Sequence, residues 1–187
     1  MTVFEEAIIF AVRAHQGMRR KSEEVPYIAH PLEVAAICAS MTADAEVLAA
    51  AVLHDTVEDT AVTMEDIRNH FGERVALLVA SETEDKHPEM SKSDSWRLRK
   101  EESLEELRQA TDPGVKILWL GDKLSNIRSF YRAWRLRGNV FWNNYNQKDP
   151  TQQAWYYRTI AKLLSELKDT EAWQEFHYDV EAIFEGV

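Results

Sequence analysis

One stretch, Val47 to Thr60 (VLAAAVLHDTVEDT), constrains the fold of this chain more than any other. It runs apolar to Leu53 without Gly or Pro, then carries His54, Asp55, Glu58 and Asp59 in quick succession. A helix turns about 100° per residue, so Glu58 falls one turn after His54 and Asp59 one turn after Asp55. The spacing predicts that all four project from an arc of roughly 140° on the helix surface. A helix that is apolar over its first two turns is a buried helix. It therefore brings an imidazole and three carboxylates to the edge of a core, where isolated charges are costly. Nearby cations, a divalent metal above all, relieve that cost.

The rest of the chain is helical in its periodicity too. Residues 3–16 place apolar side chains at helical spacing and stop at Gly17. A polar loop with Arg19, Arg20 and Lys21 follows, and then His30 stands before Pro31, a residue suited to the first turn of a helix running to about Met41. Asp44 is the expected cap of the central helix. Thr63 and Asp66 have capping-box spacing, in a weaker form with Asp in place of Glu, and Gly72 divides a short helix from a second one over 73–82. Residues 85–95 read as a mobile loop. The helix from about Trp96 to Ala110 is rich in Arg, Lys and Glu and is expected to face solvent largely.

After the turn at Asp112-Pro113-Gly114, helical periodicity returns through residue 136. Residues 138–150 read as a loop, Thr151 or Asp149 caps the next helix, and a last helix spans about Glu171 to Phe184. Alternating β-branched runs and Asn-Gly or Asp-Gly hairpins are missing. The expected fold is all-α, a single domain over 1–187 with about eight to ten helices.

Charge narrows the function. A formal net charge of −10 opposes binding to long nucleic acid through its phosphates. A small anionic ligand is still compatible, because a local basic cluster such as Arg19, Arg20 and Lys21 overrides the global sign. Cys38 is the only cysteine, so neither an intrachain disulfide nor a cysteine-based zinc site is expected. The N-terminus does not read as a signal peptide, with Glu5 and Glu6 early and the apolar run Ala7 to Val12 too short. No run approaches the roughly 20 apolar residues of a membrane span. The expectation is a cytoplasmic protein without nucleic-acid or membrane partners. An oligomer is compatible with this pattern but is not legible in it.

Three segments can supply donors to one place: His30 at a helix start, the His54-Asp55 pair, and Asp122 in LGDKLSN between Leu120 and Leu124. Two imidazoles and two carboxylates suit Mn²⁺, Fe²⁺ or Zn²⁺. Four ligands on a metal that prefers five or six leave positions for water and substrate. Taken singly, a His before Pro is usually a surface or cap residue, and an Asp within a helix is usually a surface charge. His54-Asp55 is harder to explain structurally, because adjacent polar groups there end an apolar helix. His15, His70, His87 and His177 are read as structural or solvated.

The segments AHQGMRRK, PYIAHPLEVA, AAVLHDTVEDT, VTMEDIRNHFGERV and VKILWLGDKLSNIRS, in that order over residues 7–131, resemble the HD-domain hydrolases of the RelA/SpoT alarmone family. The resemblance is greatest to the small stand-alone hydrolases that lack a synthetase half. It implies an HD-type helical bundle, with residues 132–187 as a C-terminal helical part. It also implies that His30, His54, Asp55 and Asp122 hold a metal, commonly Mn²⁺, and that Glu58 and Asp59 position and deprotonate the attacking water.

By the same resemblance, Arg20 packs on a guanine base, Lys21 lies near phosphate, and Asn126 and Ser129 contact the nucleotide sugar and phosphate. Ser129 stands where the family commonly has Thr. Tyr145 is a further candidate substrate contact. The implied reaction splits guanosine tetra- or pentaphosphate at the 3′ position, giving GDP or GTP and pyrophosphate. The alternatives are an HD phosphohydrolase for another nucleotide or phosphate ester, and a non-catalytic HD domain that senses nucleotide. Residues 84–114 match the family loosely: Trp96, Arg97, Arg99 and Lys100 there form either a second phosphate-contacting patch or a charged helix face. Trp142, Tyr145, Trp155, Tyr156 and Tyr157 are expected in the core rather than as a nucleobase platform.

Overall fold

The structure, a computed structural model, describes residues 1–20 and 24–187. The described residues form ten α-helices, which fall within the expected range, and no strand. These are α1 (Val3–Ala14), α2 (Ala29–Ala39), α3 (Ala45–Leu53), α4 (Thr56–Asp59), α5 (Met64–Phe71), α6 (Glu73–Ala80), α7 (Trp96–Gln109), α8 (Pro113–Arg137), α9 (Pro150–Leu163) and α10 (Glu171–Ile183). None is long and apolar enough to cross a membrane.

The expected start signals are used. Thr2 and Glu5 close a capping box on α1, and Asp44 accepts from the Glu46 amide at the head of α3. The Thr63–Asp66 box forms in full despite its shorter carboxylate. Asp112 and Asp149 cap α8 and α9, each with Pro in the first turn, as suits a residue without an amide proton. Gly72 separates α5 from α6 at φ 90°, a left-handed geometry that glycine adopts without penalty.

Helix α3 is the hub. Its alanine-rich surface lets α1, α2, α6 and α8 all pack on it. Helix α8 crosses α2 and α3 and then runs out to α10, joining the motif-bearing part to the C-terminal helices. The crossing with α2 is tight at Gly121, where an added Cβ would sit 2.5 Å from Cys38 Sγ and 3.2 Å from the Val34 carbonyl. That approach sets the next residue, Asp122, against the start of α2.

Two sequence expectations are revised. Val47 to Thr60 is not one continuous helix: α3 ends at Leu53 and a short α4 begins at Thr56. At the break, the His54 ring donates to the Ala51 carbonyl at 2.8 Å and the Thr56 hydroxyl donates to the Leu53 carbonyl at 2.6 Å. Side-chain donors thus take carbonyls that a continuing helix would satisfy with amides. Residues 138–150 are also less irregular than expected, since Gly138–Asn144 forms a 3-10 helix that buries Phe141 and Trp142. Trp142 stacks on Phe184 at 5.6 Å, anchoring this segment to the end of α10. Tyr156 and Tyr157 are buried as expected, whereas Trp155 is only partly covered and carries the Arg97 guanidinium over its ring.

Candidate active site

His30 comes from the first turn of α2, His54 and Asp55 from the α3–α4 break, and Asp122 from the middle of α8. Their polar atoms converge. His30 Nε2 lies 3.1 Å from Asp122 Oδ1 and 3.5 Å from Asp55 Oδ2. His54 Nε2 lies 3.0 Å from Asp55 Oδ2 and 3.5 Å from Asp122 Oδ1. Among the described residues, His30, His54 and Asp122 present ligand atoms that all fall within 4.8 Å of one another. Asp55, the fourth residue expected as a ligand, lies outside that group but within 3.5 Å of both imidazoles.

This donor set fits a cation on its own terms. His54 Nδ1 faces a carbonyl, which only accepts, so Nδ1 carries the ring proton and Nε2 of the neutral ring presents a lone pair. That Nε2 is buried and makes no hydrogen bond, although two carboxylate oxygens lie beside it. A lone pair facing carboxylates is repulsive unless a positive charge lies between them. A divalent metal meets this need, and nitrogen with carboxylate oxygen is a common donor set for first-row ions.

The local charges respond strongly to one another. Burial lowers the His54 pKa, but Asp55 and Asp122 outweigh it and hold the ring well above its usual range, so without a metal a proton on Nε2 supplies the positive charge these carboxylates demand. Burial raises Asp55, yet His54 and His30 keep its carboxyl well below the ordinary value. Burial likewise opposes ionisation of Asp122, and the adjoining Lys123 with the two imidazoles overcomes it.

The cluster opens into a cavity of about 500 Å³. Glu58 and Asp59, on α4, line it beside Asp55. Burial, followed by the charges of Asp55 and Glu84, raises the Glu58 carboxyl above its ordinary 4.5. Lys86 donates to the Glu58 carbonyl at 2.7 Å and pins this short helix. The expected nucleotide contacts Arg20, Asn126, Ser129 and Tyr145 line the same cavity. Arg20 Nη2 donates to Asn126 Oδ1 at 3.0 Å, and Asn126 Nδ2 donates to Asp122 Oδ1 at 2.8 Å. Ser129 accepts from Arg132, and Tyr145 packs edge-on against Phe130. Lys21, expected near phosphate, lies outside the described residues.

Several site residues were not singled out from sequence. Tyr27 places its hydroxyl 2.7 Å from Asp55 Oδ2 and 2.9 Å from Asp59 Oδ2, joining the metal cluster to the acidic pair. Its ring lies on His15, which is buried with both nitrogens unpartnered rather than solvated. Lys123 bridges Asp122 and the buried Glu82, whose carboxyl burial pushes up to about 7 despite that lysine. Arg99 and Lys100, which the sequence left as either a phosphate-contacting patch or a charged face of α7, turn inward, pair with Glu84 and line the cavity. Tyr27 sits inside PYIAHP and Lys123 inside LGDKLSN, so motif membership was the available signal.

His and Asp side chains from α2, the α3–α4 break and α8 thus present a potential metal-binding group at the centre of a helical bundle. The sequence matches the HD domain family over residues 7–138, and the chain belongs to that family. It is 44% identical over 132 residues to guanosine-3′,5′-bis(diphosphate) 3′-pyrophosphohydrolase MESH1 of Homo sapiens, covering 68% of this chain and 69% of the relative. It is 40% identical to guanosine-3′,5′-bis(diphosphate) 3′-pyrophosphohydrolase of Aquifex aeolicus, covering 68% of this chain but 18% of that longer protein. A solved structure of a metazoan ortholog of SpoT that hydrolyzes ppGpp superposes with a TM-score of 0.73 at 28% identity. It covers 100% of this chain and 96% of its own. A crystal structure from Listeria monocytogenes superposes with a TM-score of 0.70 at 34% identity, covering 85% of this chain and 96% of its own.

Proposed function

We propose that this protein is a metal-dependent hydrolase that removes the 3′-pyrophosphate of guanosine tetra- or pentaphosphate, releasing GDP or GTP and pyrophosphate. The observation that carries the reading is the shared cavity. A buried His30, His54, Asp55 and Asp122 cluster that calls for a cation opens onto the same space as Glu58, Asp59, Arg20 and Asn126. Relatives named for this reaction match the chain over 132 and 127 residues.

His30, His54, Asp55 and Asp122 would hold the ion, for which Mn²⁺ is our choice. When bound, it supplies Lewis acidity toward phosphoryl oxygens and lowers the pKa of water. Glu58 takes the proton of the attacking water; its raised pKa makes it a better base than an ordinary glutamate. Asp59, held by Tyr27, fixes the orientation of that water. The water oxygen forms a bond to the phosphorus next to the ribose, the O3′–P bond breaks, and the 3′ oxygen gains a proton. Arg20 packs its planar guanidinium on the base, and Asn126 holds both Arg20 and Asp122 in register. Lys21 and Ser129 attend the phosphates, and Tyr145 bounds the nucleotide end.

Residues 1–187 act as one unit in this reading. Residues 7–131 supply the chemistry, and 132–187 supply the aromatic wall. The ligand is a small nucleotide and not a nucleic acid, in keeping with the net charge of −10.

The test incubates the protein with Mn²⁺ and guanosine 3′,5′-bis(diphosphate) and follows GDP and pyrophosphate by anion-exchange chromatography. Equimolar GDP and pyrophosphate, abolished in His54→Ala, is the expected result. Bound Mn²⁺ without turnover would discard the alarmone substrate.

A further inference from the structure

The two cluster histidines are oriented by different means. His54 leans on a backbone carbonyl of its own helix, whereas His30 leans on a chain of side chains running out to α10. We infer that Ser125, Glu33 and Arg128 form a positioning chain that fixes His30 in the tautomer whose Nε2 faces the metal cluster. The inference rests on the reading that His30 is a metal ligand.

Proton counting carries it. Arg128 donates from Nη1 to Glu33 Oε1 at 3.2 Å, and it grips Glu175 of α10 through Nε and Nη2, both at 2.6 Å. The Glu33 carboxylate accepts only, and its Oε2 takes the Ser125 hydroxyl proton at 2.8 Å. That proton is the only one the hydroxyl has. Ser125 Oγ is therefore the acceptor for His30 Nδ1, at 2.8 Å.

Nδ1 then carries the ring proton, and the Nε2 lone pair of the neutral ring points at Asp122 Oδ1 and Asp55 Oδ2. Ser125 is 1% exposed, so solvent does not compete for either bond. Outer partners of this kind hold the ring orientation and raise its basicity as a ligand. Glu33 and Arg128 are thus positioning residues, and through Glu175 they link the C-terminal helix to the metal centre.

The test measures Mn²⁺ affinity of the full chain by calorimetric titration for wild type, Ser125→Ala and Glu33→Gln. Ser125→Ala removes the acceptor and is expected to weaken Mn²⁺ binding by about ten- to a hundredfold. Glu33→Gln keeps an acceptor but loses the charge and should weaken binding less. Histidine spectra of the proteins loaded with diamagnetic Zn²⁺ should show the His30 Nδ1–H hydrogen-bonded and protected from solvent exchange in wild type, and shifted and exchanging in Ser125→Ala. A merely structural serine would leave that spectrum unchanged.

Wild-type affinity within twofold in both variants, with an unshifted His30 spectrum, overturns the inference and leaves the proposed function standing. Failure of the wild type itself to bind Mn²⁺ overturns both. If Ser125→Ala does not fold, Glu33→Gln decides.

Discussion

Both ends of α3 carry a knot of charge. At its start, Arg74 of α6 reaches Asp44 at 2.8 Å, Glu46 at 2.9 Å and Asp112 at 2.9 Å, tying the heads of α3 and α8 together. Beyond its end, His30, His54, Asp55 and Asp122 tie α2, the α3–α4 break and α8. The first knot is about a third exposed and supplies its own cation, a guanidinium whose rigid fork suits several carboxylates. The second is buried, and its histidine protons are turned outward to Ala51 and Ser125. Water and salt screen the Arg74 knot, so its worth is modest. Burial leaves the other unscreened and dependent on what enters. The same residue types therefore make a clasp in one place and a site in the other.

The largest test of that contrast lies beside the buried knot. Glu58→Gln is expected to lower turnover by about 10²–10⁴-fold, the usual worth of a general base, while Mn²⁺ affinity by calorimetry stays near wild type. Asp59→Asn should fall in the same direction. Unchanged turnover in Glu58→Gln, with metal bound, removes it as the base. Because burial raises Glu58, its charged form is disfavoured and the base is lost as pH falls. The acidic limb of the rate profile should therefore lie above the ordinary glutamate value of 4.5 and vanish in Glu58→Gln.

Next in size is the response to metal itself. At a hundredfold excess over its dissociation constant, a metal stabilises the folded state by about 2.7 kcal/mol. Melting temperature should rise on adding Mn²⁺ to wild type and to Arg74→Met, and not to His54→Ala. A rise in His54→Ala would place the bound metal elsewhere.

The smallest effect belongs to the surface knot. Arg74→Met should cost about 1 kcal/mol in thermal denaturation at neutral pH, the upper range for an exposed pair. Burial nudges the Asp44 carboxyl up, but Arg74 holds it below 3.8 overall, and Arg74 does the same for Asp112. A depressed carboxyl contributes stability above its unfolded pKa and loses it as pH falls through the folded one. The gap between wild type and Arg74→Met should accordingly close below about pH 3.8, with turnover per folded molecule unaffected throughout.

The sequence by itself determined a great deal of this. Helical periodicity and the caps at Thr2, Asp44, Thr63 and Asp149 are local, because each residue acts on amides a few positions away. Those signals gave the all-α class and most helix starts. The candidate ligands were legible because His54-Asp55 breaks an apolar run, and because ordered motifs carry His30 and Asp122 with it.

Tertiary structure decided what depends on facing surfaces. The α3–α4 break is made by the His54 and Thr56 side chains turning back on carbonyls, a choice that helical spacing does not register. The inward turn of Arg99 and Lys100 follows from Glu84, supplied by a distant segment. Tyr27 and Ser125 lie within the motifs PYIAHP and LGDKLSN, but their partners are supplied only when α2, α4 and α8 meet. Gly121 lets α2 and α8 close to the distance at which His30, Asp55 and Asp122 share one point. Periodicity fixes which face of a helix is apolar; only packing fixes which polar atoms at its edge come within bonding reach.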